Sequence, residues 1–100
     1  MIDIKEQNYG LVASFKGRLD TPASVVAQQE MEPLIDNADK EIVLDCSELE
    51  YISSSGLRLF LALRKETANR GGKVIIKGIN EDIKKVFMMT GFFNLFEIKE

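Results

Sequence analysis

Three consecutive hydroxyl side chains, Ser53-Ser54-Ser55, followed by Gly56-Leu57, stand where an apolar strand pattern gives way to an apolar helix pattern. The first turn of a helix has N–H groups without intrahelical partners, and its dipole favours negative charge. Side-chain oxygens at such a place suit a phosphate, either carried in by a ligand or attached to one of the serines. A plainer reading also fits: Ser53 as an N-cap, with Ser54 and Ser55 as ordinary first-turn residues.

Motifs that would make the run a ligand cradle or a nucleophile are absent. A P-loop needs G-x-x-x-x-G-K-[ST], and neither its first glycine nor its lysine is present. The three spaced glycines of a dinucleotide fingerprint are missing as well. A nucleophile elbow needs glycine two residues before the serine; Ile52 stands there for Ser54, and the chain has no histidine to act as base. Without histidine, Ser-His-Asp and Cys-His chemistry and the commonest transition-metal ligand are all excluded. The single Cys46 lies within an apolar strand pattern and reads as a buried small hydrophobe. No cofactor or metal site is expected, and no catalytic activity.

Composition narrows the class further. One hundred residues suffice for one domain, residues 1–100, with one core. At 45% hydrophobic and 29% charged the chain has apolar surface to bury, so disorder is excluded. The net charge of −3, with both signs interspersed, gives no basic stripe for nucleic acid. No apolar run reaches the roughly 18–20 residues of a membrane span, so direct membrane insertion is not expected. The N-terminus lacks the basic-then-apolar order of a signal peptide, which makes the cytoplasm the expected location.

Around the serine run, periodicity gives the elements that must hold it. Ile2 to Gln7 alternates, Asn8-Tyr9-Gly10 turns, and Leu11 to Phe15 returns, predicting an opening hairpin that Gly17 and Asp20 end. Thr21 as N-cap and Pro22 in the first helical position start a helix. Its apolar face is read from Val25, Val26, Met31, Leu34 and Ile35, with a kink or break near Glu32 imposed by Pro33. Glu41 to Leu44 reads as a buried strand ending at Asp45. Cys46 to Ile52 then reads as a loop that returns Leu49, Tyr51 and Ile52 to the core. A second helix carries Leu57, Phe60 and Leu61 on one face, widened by Leu59, Ala62 and Leu63, and stops at Gly71-Gly72. Lys73 to Lys77 forms another strand, and Asn80 caps a third helix that Gly91 ends. Phe92 to Ile98 gives one turn and an edge strand. The order β-β-α-β-α-β-α-β predicts an α/β fold with a central mixed, mostly parallel sheet. The serine run then sits at the C-terminal edge of that sheet, where open α/β folds bind ligands.

The segment Asp45-Cys46-Ser47-Glu48-Leu49-Glu50-Tyr51-Ile52-Ser53-Ser54-Ser55-Gly56-Leu57 resembles the signature of STAS domains, particularly the bacterial anti-sigma factor antagonists. Gly17-Arg18-Leu19-Asp20 is similar to the family's turn before the first helix, and Gly71-Gly72-Lys73 and Thr90-Gly91-Phe92-Phe93 fall where the family has similar residues. The resemblance covers essentially the whole chain and implies a STAS-like fold. It also implies a protein-binding switch whose unphosphorylated form binds an anti-sigma factor that is also a serine kinase, releasing sigma factor. A PP2C-type phosphatase resets the switch. By position the acceptor is Ser54, with Ser55 as second choice, while Ser53 stands where the family usually has an aspartate. Asp20, Asp45, Ser53, Ser55, Gly56 and Leu57 are the implied switch-site and partner-binding residues. The alternative is a non-phosphorylated STAS subunit of a phospholipid-transport complex of the ABC type.

Overall fold

A computed structural model describes residues 2–99. Five strands form one sheet in the order β1-β2-β3-β4-β5. They are β1 (Ile2–Gln7), β2 (Gly10–Leu19), β3 (Glu41–Ile52), β4 (Lys73–Lys77) and β5 (Glu97–Lys99). The opening pair is antiparallel and the other three pairings are parallel, so the sheet is mixed and mostly parallel as expected. Four helices complete the fold: α1 (Thr21–Glu30), α2 (Glu32–Asp36), α3 (Ser54–Arg70) and α4 (Glu81–Thr90). A short 3-10 turn over Phe92–Asn94 leads into β5.

Leu11, Ala13 and Phe15 of β2, Ile42, Leu44 and Cys46 of β3, and Val74 and Ile76 of β4 alternate onto one face of the sheet. The helices bury Ala27, Leu34, Leu57, Phe60, Leu63, Ile83 and Phe87 in the same cluster. Phe15 of β2 meets Phe60 of α3 edge-on, with ring centroids 5.2 Å apart, so the sheet and the serine-bearing helix share one packed contact. Helix α3 therefore cannot slide without opening the centre of the core.

Several expectations need correction. Asp20, not Thr21, caps α1: its Oδ1 accepts from Ala23 N at 3.0 Å, and Thr21 is already helical. Aspartate is the better acceptor at that position, and Pro22 is tolerated anywhere in a first turn. The break at Pro33 is as expected, with α1 ending at Glu30 and α2 starting at Glu32. Strand β3 does not end at Asp45; it runs to Ile52 and stays beside β2 to that end, with Cys46, Ser47 and Glu50 outside the paired register. The pairing survives through register shifts between Ser14 and Lys16 and between Gly17 and Arg18. Gly17 takes a left-handed φ of 82° there, a conformation that costs glycine little.

Tyr51 does not return to the core. It is exposed, with the Arg18 guanidinium 4.3 Å from its ring centroid. Val25 and Val26 are exposed, because α1 turns its small Ser24 and Ala27 inward. On α3 the buried stripe is Leu57, Phe60, Leu63 and Thr67, and Leu61 faces outward.

Candidate functional site

The serine run begins where β2 and β3 end side by side. Leu19 and Ile52 are paired at that point, and the Leu19 carbonyl accepts from Ser53 N at 2.9 Å. Ser53 Oγ donates to the same carbonyl at 2.9 Å and accepts from Gly56 N at 3.2 Å. A hydroxyl can donate and accept at once, whereas a carboxylate only accepts. Serine therefore closes a three-way tie between the end of β2, the end of β3 and the start of α3 that an aspartate could not close in the same form.

The three serines have different surroundings. Ser53 is 8% exposed and committed to that tie. Ser54 is the first residue of α3 and is exposed. Ser55 is half-buried and lines a groove of about 380 Å³ between α1 and α3, together with Thr21, Val25, Arg58, Leu59 and Ala62. Gly56 is buried under the end of the ribbon: a Cβ there would lie 2.8 Å from Ile52 Cγ1 and 2.9 Å from Leu19 Cδ2. Leu57 is buried in the core and anchors the first turn.

Asp20 shares this corner. It immediately follows Leu19, caps α1, and receives Ser24 Oγ on its own carbonyl at 2.8 Å. Two helix N-termini, of α1 and α3, thus start side by side from the ends of paired strands. Their dipoles add at the corner, which suits a negative group on the exposed hydroxyl.

Asp45 is not brought to the corner. It lies in register with Ser14 and Lys77, five β2 residues before Leu19, which is roughly 15–20 Å along the strand. Partial burial pushes its carboxyl up, but hydrogen bonds from Ser47 Oγ (2.7 Å) and N (3.1 Å), with the Lys77 cation, together hold it below the usual carboxylate value. Its work is to brace β3 where β4 ends. Next to it, burial and the negative charge of Asp45 push the Cys46 thiol up to about 12. A thiol so placed stays protonated and is no nucleophile. Among the described residues no group of three or more acidic or cysteine side chains could hold a metal. No described helix is long and apolar enough to cross a membrane.

Sequence reasoning passed over two features. One is the α1–α3 groove, for which the signal was Val25 and Val26 lying off the face that packs α1. The other is the Arg18–Tyr51 pair, visible only once β2 and β3 are known to pair beyond Asp45.

The family model described as the STAS domain matches residues 1–100. The chain belongs to the STAS domain family. Among curated relatives, the anti-sigma-B factor antagonist of Bacillus subtilis is 24% identical over 98 residues, 97% of this chain and 88% of its own length. The BtrV protein of Bordetella bronchiseptica, named for anti-sigma factor antagonism, is 27% identical over 88 residues, 88% of this chain and 76% of its own. The fold is shared with the Bacillus anti-sigma factor antagonist SpoIIAA, solved unphosphorylated (TM-score 0.76, 18% identity, 100% of this chain and 88% of that one) and phosphorylated (0.75, 19%, 100% and 92%). In this STAS domain the family-like segment Asp45–Leu57 runs from the middle of β3 through the corner just described and into the first turn of α3.

Proposed function

We propose that this STAS domain is an anti-sigma factor antagonist switched by phosphorylation of Ser54. The unmodified chain binds an anti-sigma factor that is also a serine kinase, and so releases sigma factor. Modification ends that binding, and a PP2C-type phosphatase restores it. The domain is then a substrate of kinase and phosphatase and performs no catalysis itself.

The observation that carries this reading is the contrast among the three hydroxyls. Ser53 is spent on the β2–α3 tie, Ser55 faces into a groove, and Ser54 stands exposed at the first position of α3. A kinase must reach a hydroxyl that the fold can release, and Ser54 meets that need best. A phosphoserine adds about −1.5 to −2 charges at neutral pH. At a helix N-terminus this charge is favourable to the helix, so the domain keeps its fold. A partner packed against a small uncharged residue would instead meet a bulky dianion, and opposing or stranded charge in an interface costs several kcal/mol. The relatives named for anti-sigma factor antagonism support the choice of partner.

The test is incubation with a serine kinase of the anti-sigma factor class and ATP, followed by peptide mass mapping. Phosphate is expected on Ser54 in the wild type and absent in Ser54→Ala. Phosphate carried by Ser55 or Ser53 in the wild type would move the switch to that residue. A chain left unmodified by every such kinase, yet binding a phospholipid-transport complex, would replace the switch with passive docking.

A further inference from the structure

The sheet face opposite the helices carries a charge pattern fixed by strand register. One row from β1 to β5 reads Lys5, Val12, Val43, Ile75, Glu97. The next row reads Asp3, Ser14, Asp45, Lys77, Lys99. Val12, Val43 and Ile75 do not belong to the cluster into which the described helices pack, yet Val43 is only 8% and Ile75 only 5% exposed, so this face offers its charged rows more than bare apolar surface. The two outer strands carry opposite signs in both rows, Lys5 against Glu97 and Asp3 against Lys99, and Glu97 is also held within its own chain by Lys73 Nζ and Lys99 Nζ, each at 3.5 Å.

We infer that this face binds a second copy of this chain, related by a twofold axis parallel to β3. Charge complementarity carries the argument. Such an axis lays β3 on β3, β2 on β4 and β1 on β5 of the other copy, and it keeps every row level. Val43 then meets Val43, and Val12 meets Ile75. Lys5 meets Glu97 and Asp3 meets Lys99 at one edge, and symmetry repeats both pairs at the other. Two sheets of the same twist stack on a common saddle about this axis, in the aligned manner of face-packed sheets. Glu41 and Asp45 meet their own copies on the axis, each flanked by a cation. Lys73 Nζ lies 3.6 Å from Glu41, Lys77 is in register with Asp45, and the other copy's Lys73 and Lys77 come down over Gly10 and Ser14.

The face is small. Five strands about 4.8 Å apart and three rows of side chains give on the order of 400 Å² per copy. That is half of what a standard specific interface buries, so the dimer is weak and transient, with a dissociation constant on the order of 100 µM. The C-terminal ends of the parallel strands point the same way in both copies, which puts the two Ser54 corners at one pole.

Sedimentation velocity from about 5 µM to about 1 mM tests the pairing across this expected range. The wild type moves from monomer to dimer over that range. Lys5→Glu and Glu97→Lys each weaken self-association at least about tenfold, because each puts like charges at both edges. An equimolar mixture of the two variants recovers association, since each copy then offers the opposite charge at both edges. Lys5 and Glu97 lie four strands apart within one chain, so repair inside a single copy cannot mimic this result. A wild type that stays monomeric throughout overturns the inference. So does self-association that neither substitution weakens, or a mixture no better than the variants alone. Circular dichroism of both variants establishes that the fold is kept.

Discussion

At the scale of single residues, the defining choice is serine at position 53. Its hydroxyl serves Leu19 O and Gly56 N together, which frees neighbouring Ser54 from any structural duty at the corner. Ser53→Ala should therefore lower stability by about 1–2 kcal/mol, from the lost cap and the lost bond to Leu19. Urea unfolding measures it; an unchanged midpoint would show that the tie contributes nothing. The residue types were legible in the sequence: three hydroxyls, Gly56 and Leu57 at a strand-to-helix handover. Their division of labour was not, because it depends on where the end of β2 lies, and β2 joins α3 across 34 residues of chain. Asp45 shows the converse. It opens the family-like segment, yet its carboxylate is held by Ser47 of the same strand, in register with Lys77 of β4, rather than lining the corner.

At the scale of elements, the fold class and element order were readable because β2, α3 and α4 keep recognisable periodicity and β4 is a short continuous apolar run. The second half of β3 was not. From Cys46 to Ile52 the buried positions fall at Cys46, Leu49 and Ile52, every third residue, because the register shifts break the alternation that marks a strand. A spacing of three between two turn-like polar pairs reads as loop. This segment extends past the end of β4, and Asn80 closes its open edge by donating from Nδ2 to Leu49 O at 3.2 Å and to Glu50 O at 3.4 Å. The same side chain caps α4 through Ile83 N at 2.8 Å. Asn80→Ala should cost about 1–2 kcal/mol, and Asn80→Ser, which keeps a cap but is too short for the strand edge, should fall between. Equal thermal midpoints for the serine variant and the wild type would contradict a role for Asn80 at the β3 edge.

At the scale of the whole molecule, the switch site and the open sheet face are separate surfaces. The corner that bears Ser54 is built from strand ends and helix starts, while the charged rows lie on the face of the sheet away from every described helix. On the proposed reading, a phosphate on Ser54 would change what one end of the domain can touch, away from the core contact of Phe15 with Phe60. This separation was invisible in the sequence, since alternate residues of the same strands serve the two faces. The central claim is that charge on Ser54 controls partner binding without unfolding the domain. Titration calorimetry of an anti-sigma factor kinase with wild type, Ser54→Ala and Ser54→Asp, beside a thermal melt of each, tests it most directly. The account predicts comparable affinity for wild type and Ser54→Ala, a loss of at least about tenfold for Ser54→Asp, and melting points that agree closely. Equal affinity for Ser54→Asp and wild type, or a weakened Ser54→Asp that also melts much earlier, would contradict it.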